Sequence, residues 1–432
     1  MSRVLISGAG IAGPTLAYWL AGHGFRVTVV ERGGKPRSSG NPVDVRGPAV
    51  PVVKRMGVLP RLRQAATGTT GVSFVDAAGR RVGRMDMRAV QRPDEVEVPR
   101  GDLASILYEA SRDRAEFLFD DSITALGQDE HGVDVTFESA APRRFDLVIG
   151  ADGLHSVTRR LTFHRETGTP QSGLVRHMGL YVATTPLADG AAGAGRDVVM
   201  HNTPGKAIAV NPKPAVAFFL YRSPEKPGFD HRDSEQHKRM LIDAFADVSW
   251  RAPELLEHVR AADDLYFDSV SQVRLPRWWK GRVALLGDAA SCVSLFGDGS
   301  TLAMAGAFTL AEALAAHPGD PGAAFRAYEA AHRRLVDPKQ RNVAQASALL
   351  VPATRGGILA RNLATRLWPP WPPPRGSSTL SHGERGQERG VVSEGMGSAA
   401  GPAGHTGPAA TGAEPAGRPL RGRTSARWRR RR

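Results

Sequence analysis

The sequence predicts an α/β fold in which a Rossmann-like nucleotide-binding domain is interleaved with an antiparallel-sheet domain and is followed by a disordered C-terminal tail. Three observations support this prediction. A strand, a glycine-rich turn, a helix and a second strand occupy residues 3–31, short apolar strands alternate with polar turns over residues 172–278, and the composition changes after the Pro-rich segment 368–374. At 432 residues, the chain is long enough for two packed domains.

The N-terminal strand VLIS runs into the turn GAGIAG, which precedes a helix. Gly8 permits the tight turn, Gly10 lets the backbone approach a pyrophosphate, and Gly13 lets the helix pack against the strand. The helix N-terminus offers free N–H groups to the phosphates. Glu31 ends the next strand, where it can accept hydrogen bonds from a ribose, and Arg32 follows it. This unit predicts a dinucleotide site for NAD or for the adenosine half of FAD.

The segment after this unit does not continue the strand and helix repeats of a plain NAD domain. Residues 40–100 are irregular, with a predicted hairpin over residues 72–85. A helix signal then begins at Arg100, which either reaches a phosphate or is a solvated first-turn residue. This break in the repeats favours FAD over NAD as the bound nucleotide.

Two later strands also end at a glycine and an acid. The run DLVIGADGLHS places Asp152 and Gly153 after a buried strand, and GRVALLGDAA places Gly287 and Asp288 after another. An Asp-Gly pair alone is a common turn former. An acid at a buried strand end also needs hydrogen-bond donors, which ribose hydroxyls would supply. The sequence therefore predicts three nucleotide-contacting corners.

These three corners, in this order, resemble the FAD-dependent aromatic hydroxylases, the flavoprotein monooxygenases like para-hydroxybenzoate hydroxylase. The resemblance covers roughly residues 1–350 and includes Ser156 and Arg159 of the second corner. It implies that the first corner holds the adenosine and pyrophosphate of FAD. The second corner would serve both FAD and a nicotinamide nucleotide, and the third would hold the ribityl chain and pyrophosphate through Asp288.

The resemblance also assigns residues outside the three motifs. Arg100 matches the family's arginine at the start of the corresponding helix, and Arg46 lies in a segment like the family's flavin-proximal loop. Gly297 and Gly299 would allow close approach to the flavin ring. The sequence departs from the family here, because residues 291–299 contain no proline and are one residue short.

The reaction implied by the resemblance is hydroxylation of an aromatic or polyketide-like small molecule. NADPH or NADH reduces FAD, O2 adds to the flavin, and the hydroperoxide transfers one oxygen. The sequence singles out no catalytic residue and no metal site. A group of residues on the predicted sheet either lines a substrate pocket or packs in a core, and the remaining histidines are interpreted as surface or core residues. The group is His177, Tyr181, His201, Phe219 and Tyr221.

The predicted FAD-binding domain covers residues 1–171 and 279–366, with substrate-domain strands interleaved near residues 72–100. The substrate-binding domain covers residues 172–278, and residues 367–432 form the tail. Half of the formal charge of +14 lies in residues 372–432, where Gly, Ala, Pro and Arg predominate.

The tail has three interpretations: an aberrant C-terminus, a solvated linker, or a polybasic anchor for acidic partners. If the third holds, the chain is a basic interaction protein or a non-catalytic flavoprotein. Otherwise no specific nucleic acid and no membrane is predicted as a partner. The single cysteine, Cys292, and the N-terminus without a signal pattern favour the cytoplasm. The oligomeric state is left open.

Overall fold

The computed structural model describes residues 1–34, 41–88, 92–167, 174–188, 190–292, 298–341 and 343–367. The predicted tail, apart from its first residue, lies outside these ranges. Gly297 also lies outside them.

The strands of the described residues are short and are named in chain order. They are β1 Arg3–Ser7, β2 Arg26–Val30, β3 Pro42–Val45, β4 Gly71–Val75, β5 Arg81–Asp86, β6 Val96–Pro99, β7 Glu116–Leu118, β8 Ile123–Gln128, β9 Val133–Phe137, β10 Arg143–Phe145, β11 Leu147–Gly150, β12 Val175–Pro186, β13 Asp197–Thr203, β14 Lys206–Pro212, β15 Ala215–Arg222, β16 Tyr266–Val273, β17 Trp279–Lys280 and β18 Val283–Leu285.

The helices are named in the same way. They are α1 Ala12–Gly22, α2 Ala49–Arg55, α3 Leu59–Gln64, α4 Arg100–Ser111, α5 Val157–Thr167, α6 Ser234–Phe245, α7 Ala252–Ala261, α8 Asp288–Ser291, α9 Asp298–Ala316, α10 Pro321–Arg341, α11 Val343–Leu350 and α12 Arg355–Leu367.

The first layer is a six-stranded sheet in the order β17-β18-β11-β1-β2-β7. Adjacent strands in this sheet run parallel, except that β17 is antiparallel to β18. Residues of β1 alternate between two cores: Val4 and Ile6 face the cluster that includes α1, α4 and α9, and Leu5 faces the cluster beneath β8, β9 and β10. Both faces are thus covered, which explains why this strand is almost wholly apolar. The predicted Rossmann-like unit is confirmed.

The second layer is a seven-stranded sheet in the order β16-β12-β15-β14-β13-β4-β5. Adjacent strands in this sheet are antiparallel, except that β13 runs parallel to β4, with Asp197 opposite Gly71 at the start of the pairing. The hairpin β4–β5 joins this sheet although it lies far earlier in the chain than β12. Helices α6 and α7 cover one face, where Phe219, Phe245 and Leu255 are fully buried. The mixed α/β class with a mostly antiparallel second sheet agrees with the prediction.

One described helix, α9, is long and apolar enough to cross a membrane by length and composition alone. Most of it is buried inside the protein, and residues such as Met304, Leu310 and Leu314 belong to the core that includes α1 and α10. Its apolar composition is therefore accounted for by core packing.

Candidate cofactor site

The first corner is a turn in which two glycines touch other backbone atoms. A Cβ on Gly8 would lie 2.5 Å from the carbonyl oxygen of Ala151, and Gly8 has a φ of +106°. A Cβ on Gly13 would lie 1.9 Å from the carbonyl oxygen of Gly8. A Cβ on Gly10 would meet nothing within 4 Å. Gly8 and Gly13 are thus required by packing within the protein, whereas Gly10 faces open space beside the start of α1.

The acid at the end of β2 joins two loops. The Glu31 carboxylate accepts hydrogen bonds from the backbone N–H of Ala9 at 2.8 Å and of Gly33 at 2.9 Å. Each oxygen keeps a lone pair for a ribose hydroxyl. Arg32, the next residue, is exposed at the rim of a half-open cavity of about 550 Å³. The cavity wall also includes Ile123, Val157, Arg160, Leu161 and Arg232.

The second corner holds its aspartate by local hydrogen bonds. The Asp152 carboxylate accepts from the Ser156 hydroxyl at 2.5 Å, and from the backbone N–H and hydroxyl of Thr158, each at 2.9 Å. It therefore caps the start of α5. Gly153 follows with a φ of +78°, and a Cβ there would meet nothing within 4 Å. This Asp-Gly pair therefore forms a turn, and the space beside the backbone of Gly153 is open to a ligand.

The three corners touch one another. The buried guanidinium of Arg159 donates to the carbonyl oxygens of Ala289 at 2.9 Å and Leu154 at 2.5 Å, so it joins the second corner to the third. A Cβ on Gly287, which has a φ of +63°, would lie 3.4 Å from the Cβ of Ala12 in α1. The neighbouring parallel strands β18, β11 and β1 bring these corners to the same edge of the sheet.

The third corner contains a half-buried carboxyl, that of Asp288. Burial raises the pKa of Asp288, while the nearby positive charge of Arg100 acts in the opposite direction. The side chain of Cys292 forms a hydrogen bond with the same carboxyl. Gly299, near the start of α9, lies beside Asp288, because its Cβ would be 3.7 Å from Oδ1. Gly297, predicted to contact the flavin, lies outside the described residues.

Of the three arginines predicted to contact the cofactor, Arg46 and Arg100 have different surroundings from Arg32 and from each other. Arg46 forms ion pairs with Asp298 at 2.8 Å and Asp44 at 3.2 Å, and its backbone N–H donates to Thr301. It thus fixes the end of β3 to α9. Arg100 is exposed at the first residue of α4, and its side chain has no hydrogen bond or ion pair among the described residues. Arg100 is therefore available for an anion.

The end of the seven-stranded sheet that carries Tyr266 lies close to these corners. Ala183 and Phe219 belong to the face covered by α6 and α7, so their neighbours in sequence lie on the opposite face. On that face Thr184 pairs with both Phe218 and Tyr266, which places three side chains next to one another across β15, β12 and β16. The charges of Arg100 and Asp288 both act on the hydroxyl of Tyr266. A substrate between sheet and corners would contact this row.

The residues fit an extended, doubly charged dinucleotide such as FAD. The open backbone at Gly10 leaves room for a pyrophosphate, and Arg100 supplies a cation without a partner among the described residues. The half-buried Asp288 carboxyl can accept hydrogen bonds from ribityl hydroxyls, and Glu31 can accept them from a ribose. The cavity beside Arg32 has room for an adenine, with Ile123 and other apolar residues in its wall.

A family model described as an FAD binding domain matches residues 1–337. The chain belongs to the FAD-dependent aromatic hydroxylase family. Among its relatives, an uncharacterized Mycobacterium tuberculosis protein is 39% identical over 359 residues, which cover 79% of this chain and 92% of that protein. A flavin-dependent monooxygenase of Legionella longbeachae is 34% identical over 348 residues, covering 78% of this chain and 87% of its own. The resemblance noted in the sequence is confirmed.

Solved structures extend this likeness to three dimensions. The tetracycline destructase Tet(51) has a TM-score of 0.74 and 32% sequence identity, covering 84% of this chain and 95% of its own. Klebsiella pneumoniae HpxO, solved with FAD and uric acid, has a TM-score of 0.67 at 22% identity, covering 84% of this chain and 92% of its own, and shows the fold alone. The chain is therefore a flavin-dependent monooxygenase by family, with the fold of FAD-binding hydroxylases.

The sequence-based interpretation left two alternatives for residues of the sheet, and packing accounts for them. Tyr181, Phe219 and Tyr221 belong to the core beneath α6 and α7. His177 contacts the carbonyl oxygen of Ser223 at 2.9 Å, and His201 that of Val75 at 3.1 Å. The row that contains Tyr266 was not predicted. The alternation of residues around Phe219 indicates two faces of the sheet, but the sequence does not show which of them α6 and α7 cover.

Sequence reasoning also missed a polar cluster beside the second corner. His155, which lies within the motif GADGLHS, contacts Asp268 of β16 and stacks on His231. The sequence analysis interprets the histidines outside the sheet group, His155 among them, as surface or core residues. The position of His155 inside a nucleotide-contacting motif was the available signal, but its partners lie 76 and 113 residues further along the chain.

Proposed function

We propose that this protein uses NADPH or NADH, bound FAD and O2 to hydroxylate an aromatic or polyketide-like small molecule. The observation that carries the proposal is the meeting of three strand-end corners near Tyr266 of the seven-stranded sheet, whose hydroxyl is acted on by the charges of Arg100 and Asp288. A likeness to tetracycline destructases at 32% identity supports a polycyclic polyketide as the substrate class. The single cysteine, Cys292, supports a reducing compartment such as the cytoplasm as the place of this enzyme.

In this proposal the bound FAD supplies the redox chemistry: electrons from NAD(P)H reduce O2, one oxygen atom enters the substrate and the other leaves as water. The chain's own residues would bind the cofactor and orient the substrate. Glu31 and Asp288 would accept hydrogen bonds from sugar and ribityl hydroxyls, while Arg100 and the backbone at Gly10 would hold the pyrophosphate. The buried face that carries Thr184 would exclude water from the substrate.

Substitutions of the arginines at the two ends of α4 would test the cofactor site. Arg100 begins α4 and Arg112 follows its end, where it pairs with Glu109 at 3.2 Å. We expect Arg100→Ala to weaken FAD binding about tenfold, because a charge-assisted hydrogen bond to a phosphate is lost. Arg112→Ala should bind FAD like the wild type. The dissociation constant is measured by quenching of flavin fluorescence during reconstitution.

The second part of the test concerns the reaction. Stopped-flow spectroscopy with NADPH and NADH, in the presence of phenols and tetracycline-like polyketides, should show flavin reduction that one substrate class accelerates, followed by an oxygenated product. Bound FAD without substrate-stimulated NAD(P)H oxidation would favour the non-catalytic flavoprotein. A protein that binds no FAD would contradict the proposal, and a chain ending at residue 371 would show whether the basic tail is needed.

A further inference from the structure

A cluster of three titratable side chains lies beside the second corner, and the proposed function gives it no role. His155 comes from the loop between β11 and α5, Asp268 from β16, and His231 from the segment before α6. The Nε2 of His155 lies 3.1 and 3.0 Å from the two carboxylate oxygens of Asp268. The rings of His155 and His231 are parallel within 9° with centroids 3.8 Å apart. Three distant segments of the chain therefore meet at one imidazole ring.

The surroundings of the cluster are charged on several sides. Asp230 lies 3.9 Å from Nδ1 of His231, and Arg232 is the next residue. Burial, followed by the charge of His155, lowers the pKa of His231 to about 4. The ring of His231 is therefore neutral at pH 7 and packs on His155 without adding a positive charge to the cluster.

Asp268 connects this cluster to the cofactor site. Its side chain is only 13% exposed, and its charge acts on both Asp288 and Tyr266. The His155 ring lies within hydrogen-bond distance of both its oxygens, and the backbone N–H of Ser269 donates to it at 2.7 Å. Without the His155 ring, the largely buried Asp268 carboxylate would keep only the Ser269 donor, and its negative charge would act on Asp288 with less compensation. Leaving a desolvated carboxylate with fewer hydrogen-bond donors is unfavourable.

We propose that His155 is a positioning residue that holds the second nucleotide corner against β16 and compensates the charge of Asp268 beside the cofactor. This inference rests on the proposed function, since it assigns His155 to the same FAD site. The ring of His231 keeps His155 oriented by stacking. His155 does not touch reacting atoms in this account, and it acts through Asp268.

A double-mutant cycle tests the inference. The variants are His155→Ala, Asp268→Asn and the double variant, and the readouts are the FAD dissociation constant and the midpoint potential of the bound flavin. We expect His155→Ala to bind FAD about tenfold more weakly and to shift the potential to a more negative value, because an uncompensated carboxylate disfavours the reduced, anionic flavin. Asp268→Asn alone should bind FAD at least as well as the wild type.

The double variant decides between charge and contact. If His155 compensates charge, His155→Ala with Asp268→Asn should recover most of the affinity and of the potential, although the contact is lost. A double variant as impaired as His155→Ala would overturn the inference, and so would a His155→Ala variant with wild-type affinity and potential. A wild-type protein that binds no FAD would contradict the proposed function, whereas a wild type that binds FAD and a His155→Ala variant that equals it would contradict this inference alone.

A matched control is available in the same layer. His23 pairs with Glu312 at 2.9 Å, with similar exposure of the histidine side chain, 30% against 35% for His155. It lies at the opposite end of α1 from the first corner. His23→Ala should leave the FAD dissociation constant and the potential unchanged, and a change equal to that of His155→Ala would overturn the assignment of a specific role to His155. Thermal unfolding of each apoprotein checks that the variants fold.

Discussion

The first nucleotide corner and the seven-stranded sheet hold their residues in different ways. At the corner, backbone atoms pack directly on backbone atoms, with the Cα of Gly13 facing the carbonyl oxygen of Gly8 and no room for a methyl group. In the sheet, side chains such as Tyr181 and Phe219 fill the space beneath α6 and α7. The difference teaches that adding one atom damages the corner, whereas the sheet is sensitive to the removal of packing atoms or polar partners.

The largest effect is expected from adding a methyl group to the corner. A Cβ on Gly13 would lie 1.9 Å from a carbonyl oxygen, so α1 must move away from β1. We expect Gly13→Ala to lower the free energy of unfolding by more than about 3 kcal/mol and to abolish FAD binding. Urea unfolding followed by circular dichroism measures the first effect, and flavin retention measures the second.

Two other glycines serve as controls for this prediction. A Cβ on Gly22, the last residue of α1, meets nothing within 4 Å, so Gly22→Ala should be neutral or stabilise the fold by up to about 1 kcal/mol. Gly10→Ala should fold like the wild type but bind FAD about tenfold more weakly, if the cofactor occupies that space. Equal stability of the Gly13→Ala and Gly22→Ala variants would contradict the packing argument.

The same difference explains what the sequence could predict. The determinants of the first corner lie within residues 8–31, so pattern and turn chemistry identified it, together with the end of β2. Asp298, which pairs with Arg46, is 252 residues away from it, and Asp268, which contacts His155, is 113 residues away, and no local pattern points to either. The pairing of β4 with β13 is likewise a long-range contact between Gly71 and Asp197. The family resemblance supplied the order of the corners, but not the part of the sheet that lies near them.

A region between the corner and the sheet, where β3 meets α9, is sensitive to charge. Burial raises the pKa of Asp44 from 3.8 to about 6, and the charges of Glu97, Asp298 and Glu95 act in the same direction, against Arg46. The folded state thus binds a proton that the unfolded state releases. Stability from this group is complete below pH 3.8 and is lost as the pH rises through about 6. Asp44→Asn removes this dependence.

The measurement compares urea unfolding of the wild type and Asp44→Asn between pH 4 and pH 7. The wild type should lose up to about 2 kcal/mol relative to the variant over this interval, less than the full linkage value because Asp44 is 29% exposed. Asp86→Asn provides the opposite sign, since a hydrogen bond from Arg84 lowers the pKa of Asp86. The wild type should be more stable than Asp86→Asn at neutral pH, and this difference in unfolding free energy should become smaller as the pH falls. A pH-independent difference for Asp44→Asn would contradict the burial of its carboxyl.

The smallest effect is expected within the sheet, where two stacked tyrosines differ in one hydrogen bond. The hydroxyl of Tyr181 accepts from the backbone N–H of Lys226 at 2.9 Å, whereas the buried hydroxyl of Tyr221 has no partner among the described residues. The rings lie 5.5 Å apart, so both substitutions by phenylalanine leave similar packing. Tyr181→Phe should cost about 1 kcal/mol of unfolding free energy, while Tyr221→Phe should cost nothing or stabilise slightly, because it removes an unsatisfied group. Equal losses in urea unfolding would mean that the Tyr221 hydroxyl also has a partner, such as an ordered water. The sheet would then depend on polar partners as strictly as the corner depends on its glycines.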